Sequence, residues 1–334
     1  MESLRDVAGG KPVLVTGCAG FIGYFTSKNL LENGIHVVGL DNLSDYYDVD
    51  LKKHRLEQLF DPNFIFHCVD ISDQQAVARI FKDVAPRLVI HLAAQPGVRY
   101  SLINPQAYGK SNLVGSLNLL EACRQIGARH FVFASSSSVY GANTQLPYSV
   151  HDRVDQPVSM YAATKKSCEL MAHAYSHLYE IPTTGLRFFT VYGPWGRPDM
   201  AYFSFTRSIL AGATIKVFNH GDMRRDFTFI DDIIEGVLRV CARPPVVDDN
   251  IAPYRLYNIG NNRPEKLTHL IELLERQLGK QAKKEYLPMQ PGDVKETYAD
   301  ISDLEKEFGY RPSTSLEDGL RKFVDWYREY YGER

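Results

Sequence analysis

The sequence predicts an α/β protein in which a doubly wound parallel sheet is followed by a smaller, mixed α/β C-terminal domain. Short β-branched segments alternate with longer helical patterns through the first half of the chain. Several of these segments, such as Val13–Val15 and Leu88–Ile90, are apolar along their whole length. Continuously apolar strands are typical of parallel sheets, because helices cover both faces. The repeated strand–helix–strand order therefore favours a Rossmann-like fold.

The pattern predicts each element in turn as far as residue 190. Strands are predicted over Pro12–Thr16, Ile35–Leu40, Phe64–Val69, Arg87–Leu92, His130–Ala134 and Thr183–Phe189. Helices are predicted over Phe21–Asn33, Leu51–Leu59, Gln74–Lys82, Pro105–Ile126 and Met160–Glu180, and later over Ile233–Cys241, Lys266–Leu278 and Leu316–Tyr331. Val191–Asp199 is dense in Gly and Pro, and the later elements are less regular. We therefore predict one domain of residues 1–187, to which 228–259 return, and a second of 188–227 and 260–334, with a ligand cleft between them.

Composition and charge exclude several classes of function. Lys and Arg number 38 against 40 Asp and Glu, a net charge of -2, so the whole chain is not attracted to nucleic acid or to an anionic membrane. The sequence lacks an apolar run long enough to span a bilayer, and Met1–Lys11 lacks the apolar core of a signal peptide. The histidines show no metal-binding spacing, so no metal is expected. The cysteines are odd in number and widely spread: Cys18, Cys68, Cys123, Cys168 and Cys241. We therefore expect no disulfides, and we expect a cytoplasmic location.

A glycine-rich turn follows the first predicted strand. Gly17, Gly20 and Gly23 form a G-x-x-G-x-x-G pattern between that strand and the first helix. Such a turn brings the backbone close to a pyrophosphate, which the helix N-terminus then binds. Asp41, at the end of the second strand, can accept hydrogen bonds from a ribose and would repel a 2′-phosphate, which favours NAD over NADP. Asp70 ends the third strand, where it either meets the adenine or caps the following helix.

Tyr161 and Lys165 form a Y-x-x-x-K pair on a predicted helix. Residues at i and i+4 share a helix face, so the ammonium can lower the phenol pKa and allow the tyrosine to act as a general base. The spacing alone is weak evidence, because Tyr24 and Lys28 share it. The stronger signal is the serine run Ser135–Ser138, which follows a strand and so lies at the edge of the sheet where doubly wound folds bind ligands.

These motifs occur in the order typical of a known family. The chain has T-G-x-x-G-F-I-G, D-N after the second strand, H-L-A-A, S-S-S-x-V-Y-G and Y-x-x-x-K. It resembles the extended short-chain dehydrogenase/reductases that act on nucleotide sugars, and the resemblance implies that Ser136, Tyr161 and Lys165 form the catalytic triad. It also implies that NAD is bound by Gly17, Gly20, Phe21, Ile22, Gly23, Asp41, Asn42, Asp70, Ile71, Leu92, Ala93, Ala94, Asn112, Tyr161 and Lys165.

The serine run favours one reaction within this family. Nucleotide-sugar 4,6-dehydratases usually read T-D-E-V-Y-G and UDP-glucuronate decarboxylases T-S-E-V-Y-G, whereas this chain has Ser137 and Ser138 at the two variable positions. Elimination then lacks its acid and base. Reversible oxidation at C4 of the sugar remains, which favours a 4-epimerase.

Longer segments are similar to those of UDP-glucuronate 4-epimerases. They are Gly39–Tyr47, Gln95–Ser101, Arg187–Ala201, Phe218–Phe227 and Pro291–Asp293. The resemblance implies that Arg225 binds the diphosphate, Asp293 the uridine ribose and Val217–Phe218 the uracil. Candidates for binding the sugar carboxylate are Ser137, Ser138, Thr190 and Arg197.

Some alternatives stay open at this point. Arg99 either faces the substrate or caps a local turn, and Gln290 stands where glucose-type epimerases carry an arginine. The competing activities are a UDP-glucuronate decarboxylase, a UDP-glucose or UDP-N-acetylglucosamine 4-epimerase, and a non-catalytic NAD-sensing protein. Because equivalent helices pair in the family, residues 105–126 and 160–180 are expected to form a homodimer.

Overall fold

The computed structural model describes residues 2–248, 251–290 and 292–332. Its strands are β1 Val13–Thr16, β2 Val37–Asp41, β3 Phe64–Cys68, β4 Leu88–His91, β5 His130–Ser136, β6 Thr183–Phe188, β7 Thr190–Tyr192, β8 Thr214–Phe218, β9 Arg224–Phe229, β10 Tyr254–Ile259, β11 Pro264–Lys266 and β12 Lys283–Leu287. Its helices are α1 Glu2–Ala8, α2 Phe21–Glu32, α3 Val49–Glu57, α4 Gln74–Val84, α5 Pro105–Tyr108, α6 Gly115–Ile126, α7 Met160–Tyr179, α8 Ala201–Leu210, α9 Ile230–Cys241, α10 Leu267–Leu278, α11 Ser302–Phe308 and α12 Leu316–Tyr331.

Seven parallel strands form the main sheet, in the order β10-β6-β5-β4-β1-β2-β3. Strand β1 pairs with β2 on one side and with β4 on the other, with Leu14 opposite Val38 and Val89. Every residue of β1, β2, β4 and β6 is buried, as expected for strands that helices cover on both faces. The strand order reverses beside β1, and doubly wound folds bind ligands outside the carboxyl ends of the strands at such a point.

Two smaller sheets lie outside the main sheet. One has the order β11-β9-β7, and the other pairs β12 with β8. The chain returns to the main sheet between them, because Tyr254–Ile259 pairs in parallel with β6. Helix α12 packs on α8 through its aromatic face, where the Phe323 ring contacts Tyr202 and Phe203 at centroid distances of 4.8 and 5.6 Å.

The predicted fold class is confirmed, and the six predicted strands lie within two residues of their observed limits. The helical segment predicted over residues 105–126 has the observed limits but is not one regular α-helix. The π turn Gly109–Val114 interrupts it, and the buried Asn112 amide in that turn bonds to the backbone of Gln95. The sequence pattern also missed α1, whose Leu4 is fully buried, because a short helix with mostly polar residues carries little periodic signal.

Two further features of the described residues bear on function. Across 2–248, 251–290 and 292–332, none of the helices combines the length and the apolar character that crossing a membrane requires. Nor, within the same ranges, do three His, Cys, Asp or Glu side chains come together as a metal site would need.

Candidate active site

A cavity of about 1210 Å³ lies at the carboxyl edge of the main sheet and extends toward the smaller sheets. Most of the residues singled out from the sequence line this cavity. They are Gly17, Gly20, Phe21, Ile22, Gly23, Asp41, Asn42, Asp70, Ile71, Leu92, Ala93, Ala94, Arg99, Ser136, Ser137, Ser138, Tyr161, Lys165, Thr190, Arg197, Phe218, Arg225 and Asp293. Residues of the glycine turn after β1 and residues near 293 therefore share one site.

The glycine turn can receive an anion without a side chain in the way. Gly17 has a φ of +73°, and a Cβ there would lie 2.7 Å from the Ala93 nitrogen, so glycine is required on both counts. Gly20 caps α2 without any side-chain hydrogen bond to its first turn. The N–H groups of that turn are therefore available to a phosphate.

Asp41 lies at the end of β2, above the glycine turn. Its carboxylate accepts hydrogen bonds from the backbone N–H groups of Ala19, at 3.2 Å, and Leu43, at 2.9 Å. Burial raises the pKa of Asp41 above its ordinary value, and the nearby Lys52 ammonium partly offsets this. The buried Lys52, which the sequence reasoning missed, donates to the Ser44 carbonyl at 2.5 Å and also lines the cavity.

Asp70 also faces the cavity. Its carboxylate accepts hydrogen bonds from the backbone N–H and hydroxyl of Ser72 and lies 3.3 Å from the Lys110 ammonium. The cap of helix α4 is instead Asp73, whose carboxylate accepts from the Ala76 N–H. Asp70 therefore lines the cavity and is not the cap of α4, and its contact with the adenine stays a prediction.

Ser136, Tyr161 and Lys165 all line the cavity. Strand β5 ends at Ser136, whose hydroxyl accepts from the Ser138 N–H at 3.2 Å. Helix α7 carries the other two residues, and Lys165 Nζ donates to the Ala134 carbonyl at 2.8 Å. The other pair with the Y-x-x-x-K spacing has a structural role, since Tyr24 is buried and Lys28 pairs with Glu32 on the surface.

A buried ion pair joins α7 to β6, the strand next to β5. Glu169, on α7, accepts two hydrogen bonds from Arg187 on β6, at 2.8 and 2.9 Å, and one from the Ser135 hydroxyl at 2.6 Å. Burial opposes ionisation of Glu169, but the hydrogen bonds and positive charge of Arg187, together with the Ser135 hydroxyl and the Lys166 ammonium, outweigh it and lower the pKa of this carboxyl. The ion pair fixes α7 against β6, and the Ser135 hydroxyl links the same carboxylate to the end of β5.

Two of the predicted contacts lie behind the cavity wall. Asn112 is buried, and its amide also donates to the Thr164 hydroxyl, so it supports the loop after β4 from behind. Val217 is fully buried, because successive side chains of a strand point to opposite faces and its neighbour Phe218 takes the cavity side. Neither residue lines the cavity, and the expected contacts of Asn112 with cofactor and of Val217 with uracil stay predictions.

Positive charge gathers at the other end of the cavity. Arg225 Nη2 donates to the Asp293 carboxylate at 2.7 Å, and Arg99 lies 3.5 Å from the same carboxylate. The Arg99 guanidinium also stands 4.8 Å from the centre of the Phe218 ring, and its side chain caps no turn. Of the Pro291–Asp293 segment, Pro291 lies outside the described residues.

Arg197, from the loop after β7, and Thr190, from β7 itself, both line the cavity. The Arg197 guanidinium forms an ion pair with Asp199, which the sequence reasoning missed although it lies two residues away. Tyr46, from the loop after β2, donates to the same carboxylate at 3.1 Å. Thr190 is half-buried at the start of β7.

The fully buried Arg55, also missed, fastens this loop to the glycine turn. Its guanidinium donates to the carbonyls of Trp195, Gly196 and Ala19 and to the Tyr47 hydroxyl. The only signal in the sequence is an arginine on an otherwise ordinary helix. Its partners lie as many as 141 residues away.

The family is decided by a match along almost the whole chain. The model of the family described as GDP-mannose 4,6 dehydratase matches residues 14–323. The chain belongs to this family.

Relatives within the family carry a narrower description. UDP-glucuronate 4-epimerase 1 of Arabidopsis thaliana is 49% identical over 336 residues, which cover 97% of this chain and 78% of that protein. A probable UDP-glucuronate 4-epimerase of Rhizobium meliloti is 46% identical, over 95% of this chain and 97% of the relative. The crystal structure of UDP-glucuronic acid 4-epimerase from Bacillus cereus, in complex with UDP-glucuronic acid and NAD, has a TM-score of 0.88 and 36% identity and covers 96% of this chain and 100% of its own.

Proposed function

We propose that this protein epimerises UDP-glucuronic acid at C4, reversibly, to UDP-galacturonic acid. The observation that carries the proposal is the pair Ser137 and Ser138, which line the cavity next to Ser136. Hydroxyls there can bind a sugar carboxylate but cannot supply the acid and base that elimination needs. The relatives and the solved neighbour support the same substrate.

The cavity fits NAD as the cofactor. The glycine turn, the uncapped start of α2 and the Asp41 carboxylate match a pyrophosphate followed by a ribose with two free hydroxyls. Gly17, Gly20, Phe21, Ile22 and Gly23 would hold the pyrophosphate, and Asp41 the adenosine ribose. Bound NAD supplies a reversible hydride acceptor for C4 of the sugar.

Three side chains act at the reacting 4-hydroxyl and the cofactor: Tyr161 transfers the proton, and Lys165 and Ser136 bind. Tyr161 takes the proton of the sugar 4-hydroxyl and later returns it, acting as a general base and then as an acid. Lys165, fixed to the Ala134 carbonyl at 2.8 Å, would reach the nicotinamide ribose. Ser136 holds the 4-oxygen of the sugar. The 4-keto sugar then turns in the site, and reduction on its other face inverts C4.

The carboxylate needs a firm geometry in this reaction. A 4-keto hexuronic acid is a β-keto acid and loses CO₂ when its carboxylate bond aligns with the carbonyl π system. Hydrogen bonds from Ser137, Ser138, Thr190 and Arg197 would hold that bond out of alignment. At the other end, Arg225, Arg99 and Asp293 would bind the UDP part, beside Phe218.

We also propose a homodimer in the cytoplasm. Helices α6 and α7 and the preceding π turn expose apolar side chains that a second copy would cover: Val114, Leu117, Leu170 and Leu178. In this reading residues 1–187 and 228–259 form the NAD-binding domain. Residues 188–227 and 260–334 form the UDP-sugar-binding domain. The free cysteines suit a reducing compartment.

The deciding experiment incubates the purified protein with UDP-glucuronic acid, without added NAD, and follows the sugar protons by NMR. We expect UDP-galacturonic acid as the sole new sugar, because the cofactor is regenerated in every cycle and stays bound. A UDP-pentose as the main product would replace the proposal with a decarboxylase. No reaction, even with NAD supplied, would exclude the uronic acid and point to neutral UDP-sugars.

A further inference from the structure

Arg197 already holds a carboxylate that belongs to the protein. Its Nε donates to Asp199 Oδ1 at 3.0 Å, and its Nη2 donates to Asp199 Oδ2 at 2.5 Å. These two parallel N–H groups form the side edge of the guanidinium, the geometry in which arginine binds a carboxylate most strongly. A carboxylate on a bound sugar can therefore approach only the remaining N–H groups, on Nη1 and the far side of Nη2.

Asp199 is also held from the opposite wall of the cavity. The Tyr46 hydroxyl donates to Asp199 Oδ2 at 3.1 Å, and the Tyr46 ring packs against Tyr100 at a centroid distance of 5.0 Å. The side chains of Arg197 and Asp199 are only 23% and 30% exposed. Both residues line the cavity, so the pair presents the sugar with an arginine whose charge is largely neutralised.

The charge states fit a pair that stays ionised. Burial disfavours the guanidinium, but the Asp199 carboxylate outweighs this and raises the pKa of Arg197 above its ordinary value, with further help from the phenols of Tyr46 and Tyr161. Burial likewise opposes ionisation of Asp199, and Arg197 reverses the effect and lowers its pKa. Both groups carry full charge at neutral pH, so the carboxylate of a uronic acid would compete with Asp199.

Such competition suits a reaction in which the sugar must turn. The diphosphate end has to be held firmly, whereas the hexose has to leave one orientation and take another between oxidation and reduction. An arginine free to form two parallel hydrogen bonds with the sugar carboxylate would oppose that turn, because both bonds must break before the ring moves. An arginine already paired offers a weaker contact.

We propose that Asp199 is a positioning residue that weakens the hold of Arg197 on the sugar carboxylate, so that the oxidised sugar can turn. The inference rests on the proposed function, because it needs a uronic acid as substrate. Asp199→Asn keeps the shape and one acceptor but removes the competing charge. We expect it to bind UDP-glucuronic acid about tenfold more tightly, or about 1.4 kcal/mol, and to turn over about tenfold more slowly. Affinity for the neutral UDP-glucose should stay unchanged.

The experiment measures binding of UDP-glucuronic acid and of UDP-glucose by calorimetry, on NAD-loaded protein that also carries Tyr161→Phe to prevent turnover. KM and kcat are measured in the same variants with Tyr161 intact. Tyr46→Phe, which only releases Asp199 from one side, should shift uronic acid affinity in the same direction by a smaller factor. Asp303→Asn is the matched control, because Asp303 pairs with His151 on the surface.

The outcomes separate this inference from the proposed function. Tighter uronic acid binding with a lower kcat supports it. Weaker binding together with more UDP-pentose would overturn it, because Asp199 would then merely hold Arg197 in place. Unchanged affinity, in a wild type that does epimerise UDP-glucuronic acid, would overturn this inference alone. A wild type without that activity would overturn both. If Asp199→Asn does not fold, Tyr46→Phe decides, and an unchanged affinity there overturns the inference.

Discussion

The two ends of the cavity are built in different ways. At the cofactor end, Gly17, Gly20 and Asp41 lie within 25 residues of one another and follow directly from strand ends. At the sugar end, the Arg197 loop is fixed by Tyr46, from the loop after β2, and by Arg55 of α3, which lie more than 130 residues away. A phosphate is bound mainly by backbone, which a local motif can shape. A sugar is bound by side chains that only the complete fold brings together.

The largest expected effect tests the catalytic residue that both ends share. Tyr161→Phe should lower kcat by about 10³-fold, because a positioned general base contributes on the order of 10²–10⁴, while binding of UDP-glucuronic acid persists. Tyr24→Phe is the matched control, since Tyr24 has the same Y-x-x-x-K spacing but is buried in the core. The measurement is the initial rate by NMR. Comparable loss of activity in both variants would contradict the assignment.

The link between the two ends should be costly to remove. Arg55→Met keeps the bulk of the side chain but leaves four acceptors without their donor: the buried carbonyls of Ala19 and Gly196, and the partly buried Trp195 carbonyl and Tyr47 hydroxyl. Unsatisfied buried groups cost about 1–3 kcal/mol each before the structure relaxes. We expect the free energy of unfolding to fall by about 3 kcal/mol in denaturant titrations.

Arg321→Met serves as the control for Arg55→Met. Arg321 pairs with Asp318 on the exposed face of α12, where an ion pair contributes less than about 1 kcal/mol. Equal losses of stability in the two variants would show that Arg55 does not connect the two ends.

The cofactor end of the cavity could be predicted from the sequence more fully than the sugar end. Sequence reasoning found the parallel sheet, the glycine turn, Asp41 and the Y-x-x-x-K helix, because each depends on a short pattern with its own physical signature. It missed Asp199, Arg55 and Lys52, whose importance depends on partners that the fold supplies. It also expected both Val217 and Phe218 to border the uracil, and of the two only Phe218 lines the cavity. A residue pair taken from a motif does not say which of its members points inward.

A smaller effect on the sugar end concerns the product rather than the rate. Thr190→Ala removes a hydroxyl that lines the cavity, and we expect the share of UDP-pentose among the products to rise several-fold, as also for Arg197→Ala, because fewer hydrogen bonds hold the sugar carboxylate. Product ratios are read by NMR. Thr26→Ala is the control, since the Thr26 hydroxyl donates to the Ile22 carbonyl inside α2. A ratio equal to that of the wild type would remove Thr190 from the carboxylate contacts.

The smallest expected effect is on the free energy of unfolding. We expect the buried Asp41 carboxylate at the cofactor end to lower it. Burial raises the pKa of Asp41 in the folded protein, so the folded state binds protons more readily than the unfolded state. Stability of the cofactor-free protein should therefore fall as pH rises from the ordinary pKa of an aspartate through the raised value. Above that window Asp41→Asn should be more stable than the wild type while binding NAD more weakly, and the stability difference should vanish at lower pH.

Glu169→Gln supplies the comparison of opposite sign. The pKa of Glu169 is lowered in the folded state by its hydrogen bonds to Arg187, so this carboxylate stabilises the fold above the ordinary pKa of a glutamate and loses that contribution as pH falls through the lowered value. The glutamine variant should be less stable than the wild type at neutral pH and approach it in acid. Denaturant titrations of both variants across pH give the two slopes directly. If Asp41→Asn and Glu169→Gln both lowered stability at neutral pH, Asp41 would be a carboxylate that stabilises the fold. The idea that its charge serves to bind the cofactor would then be contradicted.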